Sequence, residues 1–175
     1  MVSSTEPLTR AELAQLLERL PTFQPRPGYY EELDPRQVVL FLLRTGAHPS
    51  VLAEAEERGL RLDGTDYVTW TRPKNGRRMR LPLDPSIRPW IAAFLATLPR
   101  RTTQTYNVLV HEVGVQCGLP GLTPRTLRHT FLRLLADKTR DIDDVMRYGG
   151  CSLAVAVGYV RTTDSERDRA ILEGL

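Results

Sequence analysis

Thr123-Pro124-Arg125-Thr126-Leu127-Arg128-His129-Thr130, with Tyr159 standing 31 residues after Arg128, is the stretch from which the rest of the chain can be read. Thr123 offers a side-chain oxygen where a helix needs a cap. Pro124 suits the first helical position, because its missing N–H would have no partner there. Leu127, Phe131 and Leu135 recur at helical spacing and predict a core-facing stripe on a helix over about 124–138. Arg128 is therefore carried on a rigid element. Further on, Tyr148-Gly149-Gly150 marks a turn, and Tyr159 lies nine residues beyond Gly150. Val155, Val157 and Val160 surround Tyr159 on another amphipathic segment, where a tyrosine serves as well in a core as in a site. Its meaning comes from the upstream stretch.

Working outward, Thr9-Arg10-Ala11-Glu12 opens a helix with a Thr cap and a Glu three residues on, and Leu13, Leu16, Leu17 and Leu20 supply its apolar face. Residues 1–7 read as a frayed leader, and the proline-rich piece Pro21–Pro27 breaks the first helix. A second helix begins after Asp34 with Pro35 first; Val38, Val39, Leu42 and Leu43 give it helical spacing, and Thr45-Gly46 stops it. A short helix is predicted from Pro49 to about Glu57. Tyr67–Thr71 and Arg78–Leu83 read as strands, and Asn75-Gly76 between them signals a hairpin. After Asp84 everything reads helical: about 85–98, 103–117, 124–138, 141–148, 152–161 and 165–173. The expected class is α+β, mostly helical, with one small antiparallel hairpin or sheet.

At 175 residues the chain is expected to form a single domain, 1–175, with a full core. Hydrophobic residues at 41% and charged residues at 26% are ordinary for a globular protein. No apolar run approaches a membrane span and the amino terminus lacks a signal-peptide pattern, so the expected location is cytoplasmic. A formal charge of +3 is too small to argue for nucleic acid by itself. Its distribution is more informative. Only Lys74 and Lys138 of the 24 basic residues are lysines. A GC-rich genome produces such a bias, but arginine forks suit phosphate whatever their origin. Arg72, Lys74, Arg77, Arg78 and Arg80 place five cations within nine residues of the hairpin, a ribbon able to neutralise a nucleic-acid backbone. Cys117 and Cys151 form no CxxC pair, and His48, His111 and His129 are scattered, so nothing has metal-ligand spacing. Two free thiols are expected.

The carboxy-terminal pattern resembles the signature of the tyrosine recombinases, the phage-integrase family, which runs roughly T-P-H-x-L-R-H-T, then an L-G-H-type turn, then a tyrosine nine residues past that turn's histidine. The resemblance extends from about Leu8 to the end. It implies an integrase-type catalytic domain that binds double-stranded DNA and needs neither metal nor cofactor, because the bond energy is kept in a covalent intermediate. Tyr159 would be the nucleophile that forms a 3′-phosphotyrosyl bond and releases a 5′-hydroxyl. Arg128 matches the second family arginine, and Lys74 matches the lysine placed on the hairpin as proton donor. The family's amino-terminal DNA-clamping domain is expected to be absent, leaving either a fragment or a stand-alone catalytic-type domain. The final segment, Thr163–Leu175, resembles a terminal helix that docks on a neighbouring protomer, or else packs on its own domain. On DNA the protein would be nucleoid-associated.

Three phosphate-facing positions depart from the pattern. The first family arginine, in T-G-x-R-x-x-E-L, is His48 in Thr45-Gly46-Ala47-His48-Pro49-Ser50-Val51-Leu52. The histidine before Arg128 is Arg125, and the histidine or tryptophan of the later turn is Gly150. A neutral imidazole replaces a permanent guanidinium poorly at pH 7. These changes predict an impaired strand transferase, with a non-catalytic architectural or regulatory DNA-binding relative as the competing reading. A protein-interaction module that has abandoned DNA is a third. His48 and Arg125 also read as an exchange of residue types between two phosphate-facing positions, with Arg44 one helical turn before His48 as a further cation within reach.

Overall fold

The computed structural model describes residues 6–26, 30, 32–64 and 66–162. The expected helix over 165–173 and the self-association proposed for it lie outside them. The order is α1 (Arg10–Arg19), a 3₁₀ turn (Leu20–Thr22), α2 (Pro35–Thr45), α3 (Pro49–Ala53), β1 (Arg61–Asp63), β2 (Tyr67–Thr71), β3 (Arg78–Pro82), α4 (Arg88–Ala96), α5 (Thr103–Gln116), α6 (Pro124–Thr139) and α7 (Ile142–Gly149). A last helix, α8, covers 153–162.

Local chemistry sets most helix starts. Thr9 and Glu12 make a reciprocal capping box on α1. Asp34 accepts from Arg36 N–H ahead of Pro35, and Thr123 accepts from Thr126 N–H ahead of Pro124. Of the predicted α1 face, Leu16 and Leu20 are buried, whereas Leu17 remains 41% exposed. The helix expected to reach Glu57 ends at Ala53. Glu54 leaves the helical region at φ −115°, and residues 54–59 form turns closed by Gly59 at φ +59°. Likewise 85–87 are a turn and not helix, because Asp84 accepts from Ser86 N–H and Ile87 N–H bonds back to Asp84 O.

Helix α2 is the central rod. Val38, Val39, Phe41, Leu42 and Leu43 are all buried, and α2 packs against both α5, which buries Leu109, Val110 and Val113, and α6, which buries Leu127, Phe131 and Leu132. Gly46 ends α2 at φ +61°, and a Cβ there would meet the Phe131 ring at 2.3 Å. Only glycine fits that corner. The hairpin pairs Tyr67 with Pro82 through Thr71 with Arg78, and buries Val68, Trp70, Met79 and Leu81. The short strand β1, unforeseen in the sequence, adds an antiparallel edge to give the order β1-β2-β3. Its three residues carry no strand signal of their own; pairing to β2 recruits it. No helix among the described residues is long and apolar enough to cross a membrane. Cys117 and Cys151 are both free.

Candidate active site

Arg128 projects from the second turn of α6 into the junction where α2 and α7 end. Its Nη1 donates to Gly46 O and its Nη2 to Gly149 O at 2.8 Å. Two helix C-termini, each with unsatisfied carbonyls, are thus joined by one guanidinium. Arg72, immediately after β2, reaches the next carbonyl and donates from Nη1 to Gly150 O. Burial pulls the pKa of both arginines below the ordinary value, and each is pulled further by a neighbouring cation, Arg72 acting on Arg128 and Arg77 on Arg72. Both stay charged at neutral pH. Among the described residues, neither is paired with a carboxylate.

The two arginines open onto a cavity of about 400 Å³ that is also lined by Gly46, His48, Trp70 and Lys74. Lys74 is exposed in the hairpin turn at its rim. His48 caps α3: its Nδ1 accepts from Ser50 N–H at 3.2 Å and lies 2.9 Å from Ser50 Oγ. That bond keeps a lone pair on Nδ1, so the neutral ring carries its proton on Nε2. His48 is exposed as a residue, yet desolvation on its cavity side and then the charge of Arg128 hold its pKa below the usual value. At pH 7 His48 therefore presents a neutral N–H donor to the cavity.

An adjoining cavity of about 430 Å³ is lined by His48, Arg125, Arg128, His111 and Asn107. His48 and Arg125 thus line one space together with Arg128. Arg44 is exposed and lines neither cavity.

Tyr159, on α8, is half-buried beside these cavities and lines neither. Its Oη is hydrogen-bonded to Nδ1 of His129, and Arg125 Nε–H donates to His129 Nε2 at 3.4 Å. An Nε2 that accepts requires the neutral ring to carry its proton on Nδ1, so His129 donates to the tyrosine. Burial, then Arg125, then Arg128 lower the His129 pKa. Burial first, and Cys151 next, push the Tyr159 hydroxyl up to about 12 against the opposing pull of Arg128. Resting Tyr159 is a protonated phenol.

The basic ribbon divides. Arg72 and Lys74 face the first cavity, whereas Arg77, Arg78 and Arg80 line a separate hollow of about 370 Å³ with Tyr67, Tyr148 and Arg147. Arg80 stacks 3.5 Å from the Tyr67 ring centre and pairs with Asp63 at 3.0 Å. His129 and Arg147 were not singled out from the sequence. The spacing of Arg125 and His129, one helical turn apart, was the available signal for the first.

No family model matches the sequence, and no curated protein matches it either. Solved structures do. XerH site-specific recombinase bound to palindromic difH substrate, a post-cleavage complex, is similar at a TM-score of 0.73 and 18% identity over 97% of this chain and 53% of that one. XerH bound to difH substrate before cleavage gives 0.67 and 17% over 90% and 51%. XerA recombinase gives 0.67 and 17% over 96% and 64%. The chain spans roughly half to two thirds of those recombinases' lengths. The expected fold, helical around a small antiparallel sheet, is the one it shares with them.

Proposed function

We propose that the protein binds double-stranded DNA and acts on it as a tyrosine-recombinase-like domain, cutting and rejoining a strand through Tyr159 at a reduced rate. The observation that carries this reading is the arginine-lined cavity at the ends of α2 and α7, with two half-buried guanidiniums and no carboxylate paired to either among the described residues. Such a site is electrostatically complete only with an anion in it. The likeness of the fold to recombinases bound to difH DNA makes a phosphodiester the natural anion.

In this reading Arg128 holds a non-bridging phosphate oxygen, and His48 Nε2–H supplies a neutral donor to the same group. Tyr159 Oη bonds to phosphorus, and the bond to the 5′-oxygen breaks. The leaving oxygen takes a proton from Lys74, while the phenol proton passes to His129 Nδ1 after Arg125 releases Nε2 and the neutral ring shifts its own proton from Nδ1 to Nε2. Loss of one preorganised donor lowers rate by about 10²–10³, and several losses need not multiply. A phenol held near 12 adds to the barrier. Impairment follows from both.

A second reading, a non-catalytic architectural or regulatory DNA-binding protein, is favoured by one specific observation: Tyr159 Oη is engaged by His129 and lines neither cavity. Both readings require salt-dependent affinity for duplex DNA. Titration of a labelled duplex at several salt concentrations should give a linear fall of log affinity with log salt. A flat, weak response would leave only the protein-interaction module.

A further inference from the structure

Gly150 occupies the turn position at which the resemblance implies a phosphate-facing histidine or tryptophan. It has φ +58°, and a Cβ built there would lie 2.8 Å from both Sδ and Cε of Met79 and 3.3 Å from Cδ of Arg72. The space above residue 150 is already filled by two hairpin side chains. One of them is cationic. The Arg72 stem passes over Gly150, and its head donates to Gly150 O, one peptide from the carbonyl that holds Arg128. Both heads border the same cavity of about 400 Å³. Arg72 is anchored at its backbone too, its N–H donating to Arg77 O at 2.9 Å and its carbonyl accepting from Gly76 N–H at 3.1 Å. A side chain fixed at both ends differs from the exposed ribbon residues Arg77 and Arg78.

We infer that Arg72 is the second guanidinium of the phosphate-binding cradle, so that Arg72 and Arg128 together grip one phosphodiester in place of the cation absent at His48 and the donor absent at Gly150. The inference rests on the DNA-binding reading and deepens it. Like charges brought to consecutive carbonyls repel: burial first, and then the charge of Arg72, lower the pKa of Arg128. A shared anion turns that repulsion into two attractions. The hairpin then has two duties. Arg72 closes the cradle, while Arg77, Arg78 and Arg80 track the flanking backbone with Arg147.

A double-mutant cycle on the full chain tests this, read as the dissociation constant for a labelled duplex of about 20 base pairs at fixed salt. Arg72→Gln and Arg128→Gln should each weaken binding severalfold. Combined, they should weaken it far less than the product of the two factors, because residues sharing one partner couple. Arg78→Gln with Arg128→Gln should multiply. Arg72→Lys, which keeps the charge and loses the fork, serves the same cycle if loss of the Gly150 contact unfolds the Gln variant. Multiplication in the Arg72–Arg128 cycle, or an unaffected Arg72→Gln, overturns the cradle while leaving DNA binding intact. A wild-type chain without salt-dependent affinity overturns the DNA reading instead. In that case inorganic phosphate, followed by the Nε–H signals of the two arginines, still decides the cradle: both signals must move with one midpoint, and movement of Arg128 alone refutes it.

Discussion

Tyr159 is hydrogen-bonded through its hydroxyl to Nδ1 of His129, and Arg125 donates to the other ring nitrogen, Nε2, of the same imidazole. Three residues from two helices therefore share a proton inventory. Arg125 Nε–H requires a lone pair on His129 Nε2, which leaves Nδ1 protonated and donating to the phenol. An imidazole in that tautomer cannot take the phenol proton.

Replacing Arg125 with alanine should release the ring. A nearby cation lowers a histidine pKa, so its removal raises that of His129. Ring-proton titration by NMR in wild type and Arg125→Ala should show the upward shift. An unchanged midpoint would mean that Arg125 does not reach His129 in solution.

The exchanged pair yields a sharper forecast. His48, Arg125 and Arg128 line one cavity. If the cation and the imidazole have traded places, His48→Arg combined with Arg125→His should reduce strand cleavage or leave it unchanged. A large gain in covalent product from the double reversion would contradict the exchange and point to simple loss of donors.

Acid should weaken the fold before the carboxylates titrate. His48 and His129 both have pKa values held below about 6.5, the value of an unfolded histidine. Between the folded value and 6.5 the unfolded chain binds more protons, so stability rises with pH across that window and falls as pH drops through it. Urea denaturation between roughly pH 7 and pH 5 should record the loss. His48→Asn, which keeps a capping residue at α3, combined with His129→Gln should flatten it.

Two glycines in the left-handed region should respond differently to alanine. Gly76 at φ +64° has nothing within 4 Å of a new Cβ, so Gly76→Ala costs only the backbone strain, roughly 1–2 kcal/mol. Gly46 meets the Phe131 ring at 2.3 Å, so overpacking adds about another 1–3 kcal/mol. Denaturant midpoints should rank wild type above Gly76→Ala above Gly46→Ala. Equal losses would show that the corner of α2 yields freely.

Much of this architecture was legible because its signals are local. Thr9, Asp34 and Thr123 announce helix starts by the chemistry of one or two following residues, and each is the cap found. Asn75-Gly76 announces the hairpin in the same way. Strand β1 was not legible, since Arg61-Leu62-Asp63 becomes a strand only when β2 lies beside it. At the site, Arg128, Lys74, His48 and Arg125 were nameable from motif positions, and two adjoining cavities gather them. The contact of Arg72 with Gly150 was hidden, because it spans 78 positions. So was the contact of His129 with Tyr159, which depends on how α8 packs against α6. Tertiary contacts of that length leave no periodic trace in a single sequence.

The most direct measurement is covalent trapping on a nicked duplex drawn from the DNA that flanks this protein's own coding sequence, with Tyr159→Phe in parallel. The account predicts a denaturant-resistant protein–DNA adduct that accumulates slowly and is lost in the Phe variant, together with salt-sensitive binding by both proteins. Tight, salt-sensitive binding with no adduct from either protein would contradict the strand-cutting role of Tyr159 and leave a DNA-binding protein built on a recombinase fold.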